Sequence, residues 1–285
     1  MLYPPELRAR PLAILNYNHP VAAIRLFTQA DLPALLHLSR SASWNQTSDD
    51  WARLLTFEPL GCFGIEIDGV LAASTVVITY AQDLAWIGMV LTLPEFRGRG
   101  LGRRLMEHAV EYSNSRIIRL DASDMGKALY ESLGFQEECI VERWLRDPSP
   151  SPAIEAETFK YPQTLDTEAF QADRSALIRS LAGHEAASLT DQAFALGRPG
   201  SNTAYFGPCV SATPADARHL LQWFLARHPA EPVFWDLFPQ HLHAPQIAAE
   251  FGFRPVRRLT RMSLHAPAIA LPDPRIYAIA GFEYG

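Results

Sequence analysis

The sequence predicts an α/β (α+β) chain in which one fold occurs twice in tandem, the second copy being degenerate. Segments with strand-like and helix-like spacing of apolar residues alternate along the 285 residues. A glycine-rich loop at 97–102 joins an apolar strand to an amphipathic helix. Landmarks of the first half return about 120 residues later, which indicates an internal repeat.

The composition limits the class of protein. Its 48% hydrophobic and 20% charged residues are typical of a globular chain. The net charge of −6 disfavours nucleic acid as a partner, and no apolar run reaches the roughly 18–20 residues that a membrane span requires. The first residues lack the pattern of a signal peptide. Because Cys62, Cys139 and Cys209 are scattered and odd in number, we expect reduced thiols, a cytoplasmic protein and no metal site.

The first half alternates strands and helices around the glycine-rich loop. Apolar runs bounded by turn residues predict strands at 21–27, 63–67, 70–80, 86–92, 117–121 and 135–144. Apolar residues at helical spacing predict helices at 32–38, 101–112 and 126–133. Thr28 and Asp31 have the spacing of a capping box before the first of these helices. Asp68-Gly69 predicts a tight turn between two strands, and Gly134 ends the last helix.

Three segments lack such periodicity. Residues 1–22 contain several prolines and are predicted to be an N-terminal extension, and 41–60 is less regular. Residues 147–152 read Asp-Pro-Ser-Pro-Ser-Pro, which is typical of a linker or a long loop. We therefore predict a first domain at 23–146, a linker at 147–160 and a second domain at 161–285. A proline-rich turn within one domain is the alternative.

The second half repeats the first without its glycine-rich loop. The matched pairs are 85–92 with 204–211, 133–135 with 251–253 and 143–144 with 261–262. Where the loop would follow, Thr213 and Pro214 predict an ordinary helix cap. Asp216 would occupy the N–H groups that a phosphate needs and would repel the phosphate. The second copy is therefore expected to have lost the chemistry of the first.

The loop of the first half has the features of a pyrophosphate site. Its glycines allow backbone N–H groups to turn inward, and the following helix adds free N–H donors and the positive end of its dipole. A P-loop would end in Gly-Lys-Ser/Thr, whereas this loop ends in Gly102-Arg103-Arg104. A dinucleotide fingerprint would have the spacing G-x-G-x-x-G, whereas these glycines alternate with other residues.

The loop, with an arginine at its start, resembles the acyl-CoA loop of the GNAT N-acetyltransferases. Residues 128–135, Ala-Leu-Tyr-Glu-Ser-Leu-Gly-Phe, resemble the second signature of that family. The resemblance implies a mixed, mostly antiparallel sheet flanked by helices. Trp-Asn-Gln-Thr at 44–47, Trp-Ile-Gly-Met-Val-Leu at 86–91 and Leu-Asp-Ala-Ser at 120–123 resemble a tandem branch whose C-terminal acetyltransferase domain is YitH-like.

The resemblance implies transfer of an acetyl group from acetyl-CoA to a primary amine, by direct attack in a ternary complex. Tyr130 matches the usual general acid, which protonates the leaving thiolate, and the second half has Ala248 at that position. Ser123 stands where the family often has a pantetheine-binding asparagine. The implied cofactor-binding residues are Val90, Leu91, Thr92, Arg97, Gly98, Arg99, Gly100, Leu101, Gly102, Arg103 and Ser123.

The base and the acceptor are less well defined by the sequence. Trp86 stands where many relatives have a catalytic glutamate, so deprotonation could use water, Asp50 or no enzyme group. Aromatic walls with one acid would suit a cationic amine, although both tryptophans of 44–51 could equally be core residues. Asp121 could orient a substrate or cap the next helix. The implied acceptor-site residues are Trp44, Gln46, Asp50, Trp86 and Asp121.

Several functions are therefore open to the chain. It is predicted to acetylate the primary amine of a small molecule, and the alternatives are a protein-amine acetyltransferase and an acyl-CoA sensor or scaffold without turnover. A peptide-binding module that uses the second half is a further alternative, which would need an open groove with unpaired strand edges there. The second half could cover the acceptor site, complete a sheet or form a homodimer contact.

Overall fold

A computed structural model describes residues 23–81, 83–115, 117–266 and 271–285. The extension predicted at 1–22 lies outside the described residues. The strands are β1 (Ile24–Leu26), β2 (Cys62–Ile67), β3 (Val70–Tyr80), β4 (Leu84–Thr92), β5 (Ile117–Ala122), β6 (Gln136–Arg146), β7 (Glu157–Thr158), β8 (Glu185–Leu189), β9 (Ala193–Arg198), β10 (Ala204–Ser211), β11 (Val233–Leu237), β12 (Arg254–Leu264) and β13 (Ile276–Ala278). The helices are α1 (Leu32–Ser41), α2 (Ser48–Phe57), α3 (Leu101–Ser113), α4 (Asp124–Ser132), α5 (Gln163–Phe170), α6 (Ser175–Leu181), α7 (Pro214–Arg227) and α8 (Ala244–Glu250).

Each strand and helix predicted for the first half is present, but the irregular stretch 41–60 contains one further helix, α2. The Thr47 side chain accepts a hydrogen bond from the Asp50 N–H, and the Asp50 carboxylate accepts one from the Thr47 N–H. This capping box has the same Thr-x-x-Asp spacing as Thr28 and Asp31, which also form a capping box. The sequence signal for α2 was therefore present and was missed.

One mixed sheet runs through both halves. Its order is β1-β2-β3-β4-β5-β12-β6-β11-β10-β9-β8-β7, with β13 also paired to β10. The pairs β4–β5 and β10–β11 are parallel, and the other described pairs are antiparallel. The mixed, mostly antiparallel sheet is thus confirmed.

The two halves exchange a strand. β12 of the second half lies between β5 and β6 of the first, while β6 lies between β12 and β11 of the second. Each exchanged strand therefore completes the sheet of the other half. The second half therefore has one of the three roles considered for it: it completes a sheet.

Each exchanged strand carries an arginine that binds an aspartate of the other half. Arg143 of β6 donates to the Asp236 carboxylate of β11 at 2.7 and 2.6 Å. Arg261 of β12 donates to the Asp121 carboxylate of β5 at 2.9 and 3.0 Å. None of the four side chains is more than 10% exposed. These bidentate pairs are geometrically specific and fix which strands lie side by side.

We expect Asp236→Asn to lower the free energy of unfolding by about 3–5 kcal/mol, because Arg143 would remain buried without its carboxylate. Urea-induced unfolding measures the change. Asp147→Asn is the matched control: it weakens an exposed pair with Arg254, and exposed pairs contribute only about 0–1 kcal/mol. Equal losses for the two variants would contradict a structural role for the buried pair.

Candidate active site

A cleft opens where the parallel strands β4 and β5 separate. They pair only from Leu84–Ile117 to Trp86–Arg119. Beyond this point the register of β4 against β3 shifts, and Met89 has a φ of 54°, in the left-handed region. The Ser74 hydroxyl donates to the Met89 carbonyl oxygen at 2.8 Å and holds the bulge. The bulge bends β4 away from β5, so backbone groups on this edge are left for a ligand.

The cleft has walls from both halves of the chain. It brings together six residues that the sequence predicted: Trp44, Gln46, Val90, Asp121, Ser123 and Tyr130. Sequence reasoning missed Gly88, Met89, Arg143, Arg257, Phe282 and Glu283, which also line it. All six reach the cleft through the bulge of β4, through the strand exchange or from the segment after β13, and local sequence patterns reveal none of these.

Tyr130 lies on α4 and lines the cleft. Its side chain is buried, and burial raises its pKa to about 12. Its hydroxyl has no hydrogen-bond partner among the residues that the structure describes. At neutral pH the phenol is therefore protonated and available to donate to a ligand in the cleft.

The glycine-rich loop leads into α3 with an open helix end. Gly98 and Gly100 have φ values of 74° and 77°, and a Cβ atom at either position would have no atom within 4 Å. No side chain in the described part of the chain caps α3, so the N–H groups of its first turn remain available. Arg97 and Arg103 flank the loop, donating to the Thr92 carbonyl and to Ser132 respectively.

The other predicted cofactor-binding residues surround this helix end. Arg99 lies over the Phe96 ring, and the buried Leu101 packs into the core below the loop. A Cβ atom at Gly102 would lie 3.9 Å from the Thr92 hydroxyl, so the helix start lies directly beside the end of β4. Leu91 is also buried, on β4. The loop and the bulged strand thus form one continuous surface.

Two predicted acceptor residues do not line the cleft. Asp50 is only 1% exposed and lies within α2, where Arg53 and Arg198 donate to its carboxylate. Although burial alone would raise the pKa of Asp50, Arg198 and the Thr47 N–H hold it below its ordinary value. Trp86 is buried behind the cleft, and its indole N–H donates to the Phe282 carbonyl. Neither the Asp50 carboxylate nor the Trp86 ring is placed to contact an acceptor.

The remaining acceptor predictions are divided between the cleft and the core. Trp44 and Gln46 line the cleft, and Gln46 Oε1 is buried without a hydrogen-bond partner in the described structure. Asp121 also lines it, but both of its carboxylate oxygens accept from Arg261. Trp51 is fully buried in the core.

The equivalent cleft of the second half is filled by the chain itself. β10 and β11 pair from Ala204–Val233 to Phe206–Trp235 and then separate, as β4 and β5 do. β13 pairs with β10 in the opening, and the Trp235 indole donates to the Tyr277 carbonyl. The predicted cap of α7 is confirmed, since Thr213 accepts from the Asp216 N–H.

None of the described helices is both long and apolar enough to cross a membrane. The three cysteines are free, and two of them are buried. The described residues contain no group of three or more His, Cys, Asp or Glu side chains suited to a metal ion. Two histidines lie close together at 241 and 243. The His241 ring accepts hydrogen bonds from the N–H groups of His243 and Ala244 at the start of α8.

Comparisons with known proteins agree with this geometry. Residues 23–135 match the model of the Acetyltransferase (GNAT) family, and residues 163–278 match that of an Acetyltransferase (GNAT) domain. A ribosomal protein bS18-alanine N-acetyltransferase of Escherichia coli is 30% identical over 122 residues, which are 39% of this chain and 78% of that protein. An uncharacterized N-acetyltransferase of Methanocaldococcus jannaschii is 37% identical over 71 residues, 23% of this chain, and the chain spans only 31% of its length.

Solved structures share the two-copy fold. A crystal structure from Pyrococcus horikoshii aligns over 97% of this chain and 100% of its own, with a TM-score of 0.81 and 20% identity. A tandem GNAT protein from the clavulanic acid biosynthesis pathway aligns over 86% and 99%, with a TM-score of 0.60 and 14% identity. The YitH-like character of the second domain and the domain boundaries stay predictions. The chain belongs to the GNAT family of acetyltransferases and contains two GNAT domains in tandem.

Proposed function

We propose that the first half transfers an acetyl group from acetyl-CoA to the primary amine of a small molecule, by direct attack in a ternary complex. The cleft between β4 and β5 carries this proposal, because the bulged strand and the protonated Tyr130 line it and the open end of α3 lies beside the end of the same strand. In the second half, β13 fills the opening and a side chain caps the helix.

The residues present fit acetyl-CoA. The N–H groups at 98–103 and the arginines at 97, 99 and 103 would hold the pyrophosphate, because an uncapped helix start favours anions. Backbone groups of Val90, Leu91 and Thr92, with the Ser123 hydroxyl, would hold the pantetheine arm. When bound, the co-substrate supplies an activated acetyl thioester. A fixed backbone donor on the oxygen of the developing oxyanion contributes about 2.7–4 kcal/mol.

Tyr130 would donate a proton to the sulfur as the bond from sulfur to the acetyl carbon breaks. Burial raises the pKa of the phenol to about 12, above the roughly 8.5 of a thiol in water. The same apolar surroundings would also destabilise a bare thiolate and raise its proton affinity. Because burial raises the proton affinity of both groups, the difference between their pKa values in the cleft is smaller than the difference between about 12 and roughly 8.5.

The walls from the second half favour a small acceptor. Arg257, Phe282 and Glu283 line the cleft and narrow the space for an acceptor, and they lie outside residues 23–135, which match the first family model. The E. coli relative is named for acetylation of an alanine of a ribosomal protein, which favours a protein amine instead. Measuring CoA thiol release with small amines and with alanine-starting peptides separates the two functions. Peptide acetylation alone would contradict the small-molecule proposal.

We expect Gly100→Asp to abolish acetyl-CoA binding in calorimetric titration, because a carboxylate at the helix start would repel the pyrophosphate. Gly69→Asp is the matched control. Gly69 also has a φ of 77° and open space around its Cβ position, but it lies in the β2–β3 turn. Unchanged affinity for Gly100→Asp would contradict the role of the loop.

We expect Tyr130→Phe to lower kcat by about 10–100-fold with acetyl-CoA affinity retained, because only the proton donor is lost. Steady-state thiol release and calorimetry measure the two quantities. Tyr277→Phe removes another buried phenol, from β13, and is expected to leave kcat unchanged. A normal rate for Tyr130→Phe would remove this residue as the general acid.

The filled cleft of the second half predicts a single cofactor site. Native mass spectrometry with excess acetyl-CoA should therefore detect one bound molecule per chain. Two molecules per chain would mean that β13 leaves its position on β10, and would contradict the degeneracy of the second copy.

A further inference from the structure

The segment that follows β13 passes from the second half into the cleft of the first. Residues 279–285 are anchored by both halves: Ile279 N–H donates to the Asp236 carbonyl, and the Tyr80 hydroxyl donates to the Tyr284 carbonyl at 2.8 Å. The Trp86 indole N–H donates to the Phe282 carbonyl at 2.9 Å. The segment is therefore a fixed part of the cleft wall.

Glu283 of this segment lies against β4 at its bulge. A Cβ atom added to Gly88 would lie 2.9 Å from the Glu283 Cα and 3.3 Å from its Cβ, so only glycine allows this approach. Gly88 immediately precedes Met89, whose left-handed conformation bends the strand. Glu283 thus lines the cleft beside the strand edge that would hold the thioester.

The Glu283 carboxylate has one paired and one unpaired oxygen. Oε1 accepts from Arg198 at 2.8 Å, whereas Oε2 is buried without a hydrogen-bond partner in the described part of the chain. Leaving a charged oxygen buried and unpaired is costly unless a cation or a hydrogen-bond donor binds there. The other acid that lines the cleft, Asp121, has both oxygens on Arg261.

The charges around Glu283 suit a group that gains and loses a proton. Burial and the nearby Asp50 carboxylate oppose its ionised form, while Arg198, the backbone N–H of Glu283 itself and Arg143 favour it. Burial has the largest effect, and the pKa of Glu283 is raised above its ordinary value. A carboxylate whose pKa is shifted towards neutrality is a better base at neutral pH than an exposed one.

We propose that Glu283 is the general base for the acceptor amine and that the second half delivers it to the active site of the first. This inference rests on the proposed function and assigns the base that the sequence left open. Glu283 takes one proton from the acceptor ammonium, directly or across one water molecule. Trp86, where many relatives carry a glutamate, cannot take a proton.

The proton transfers balance. The ammonium loses one proton to Glu283, and the neutral amine attacks the acetyl carbon of the thioester. The bond from nitrogen to the acetyl carbon forms and the bond from sulfur to that carbon breaks, while Tyr130 gives its proton to the sulfur. The nitrogen loses a second proton, which returns the phenol to its neutral form, and Glu283 releases its proton to solvent.

The test compares two nucleophiles. Hydroxylamine is already neutral at pH 7 and needs no base, whereas simple alkyl amines such as ethanolamine are protonated. With Glu283→Gln, we expect thiol release from acetyl-CoA to fall by about 100-fold or more with the most active alkyl amine of a panel. The rate with hydroxylamine should change by less than about threefold, and acetyl-CoA affinity in calorimetry should be retained.

Two further variants control the experiment. Glu283→Asp keeps a carboxylate and should restore part of the alkyl-amine rate. Glu185 on β8 also has one paired and one unpaired carboxylate oxygen, but it does not line the cleft. Glu185→Gln should therefore leave the rate of thiol release unchanged with both nucleophiles. If Glu283→Gln does not fold, the pH–rate profile of Glu283→Asp replaces it. The acid limb of the Glu283→Asp profile should lie at a different pH from the acid limb of the wild-type profile.

The outcomes are distinct. Equal losses with both nucleophiles, an unchanged alkyl-amine rate, or an unmoved acid limb in Glu283→Asp would overturn the role of Glu283. If the wild type binds acetyl-CoA but releases no thiol with hydroxylamine or any amine of the panel, the proposed function is wrong and the inference falls with it.

Discussion

Two buried arginine–aspartate pairs hold together the strands that the halves exchange. A buried guanidinium needs its carboxylate, so β6 cannot leave β11, nor β12 leave β5, without leaving a charge uncompensated. The pairs therefore also fix the positions of the cleft-lining residues on these strands, among them Arg143 and Arg257. The active site depends on this constraint because its walls come from both halves.

Two parallel strands separate in each half of the chain, but the openings that result differ. In each half a parallel strand pair separates and leaves an opening at the sheet. In the first half, the helix start after the glycine-rich loop has no side-chain cap, and the opening forms the cleft proposed to bind acetyl-CoA. In the second half, Thr213 caps the helix and β13 fills the opening. In the proposed function one copy provides the chemistry, while the other provides a strand, a wall of the cleft and the segment that carries Glu283.

Local signals in the sequence predicted much of the first half. The glycine-rich loop and the internal repeat follow from residue types and spacing, and the resemblance to the GNAT family pointed to Tyr130. The strand exchange could not be predicted, because apolar periodicity identifies a strand but not its neighbours. For the same reason Asp50 could be taken for an acceptor residue, although ion pairing with Arg198 from the other half buries it. Glu283 has no motif around it, and only tertiary packing reveals its unpaired oxygen.

The reciprocal exchange of β6 and β12 has a consequence for the origin of the protein. Two identical chains that swap their last strands would form the same arrangement with twofold symmetry and two equal sites. Joining them in one gene removes the requirement that both sites stay alike. A duplicated enzyme could then specialise one copy as an accessory to the other, and neither copy could afterwards be lost alone, because each lends the other a strand.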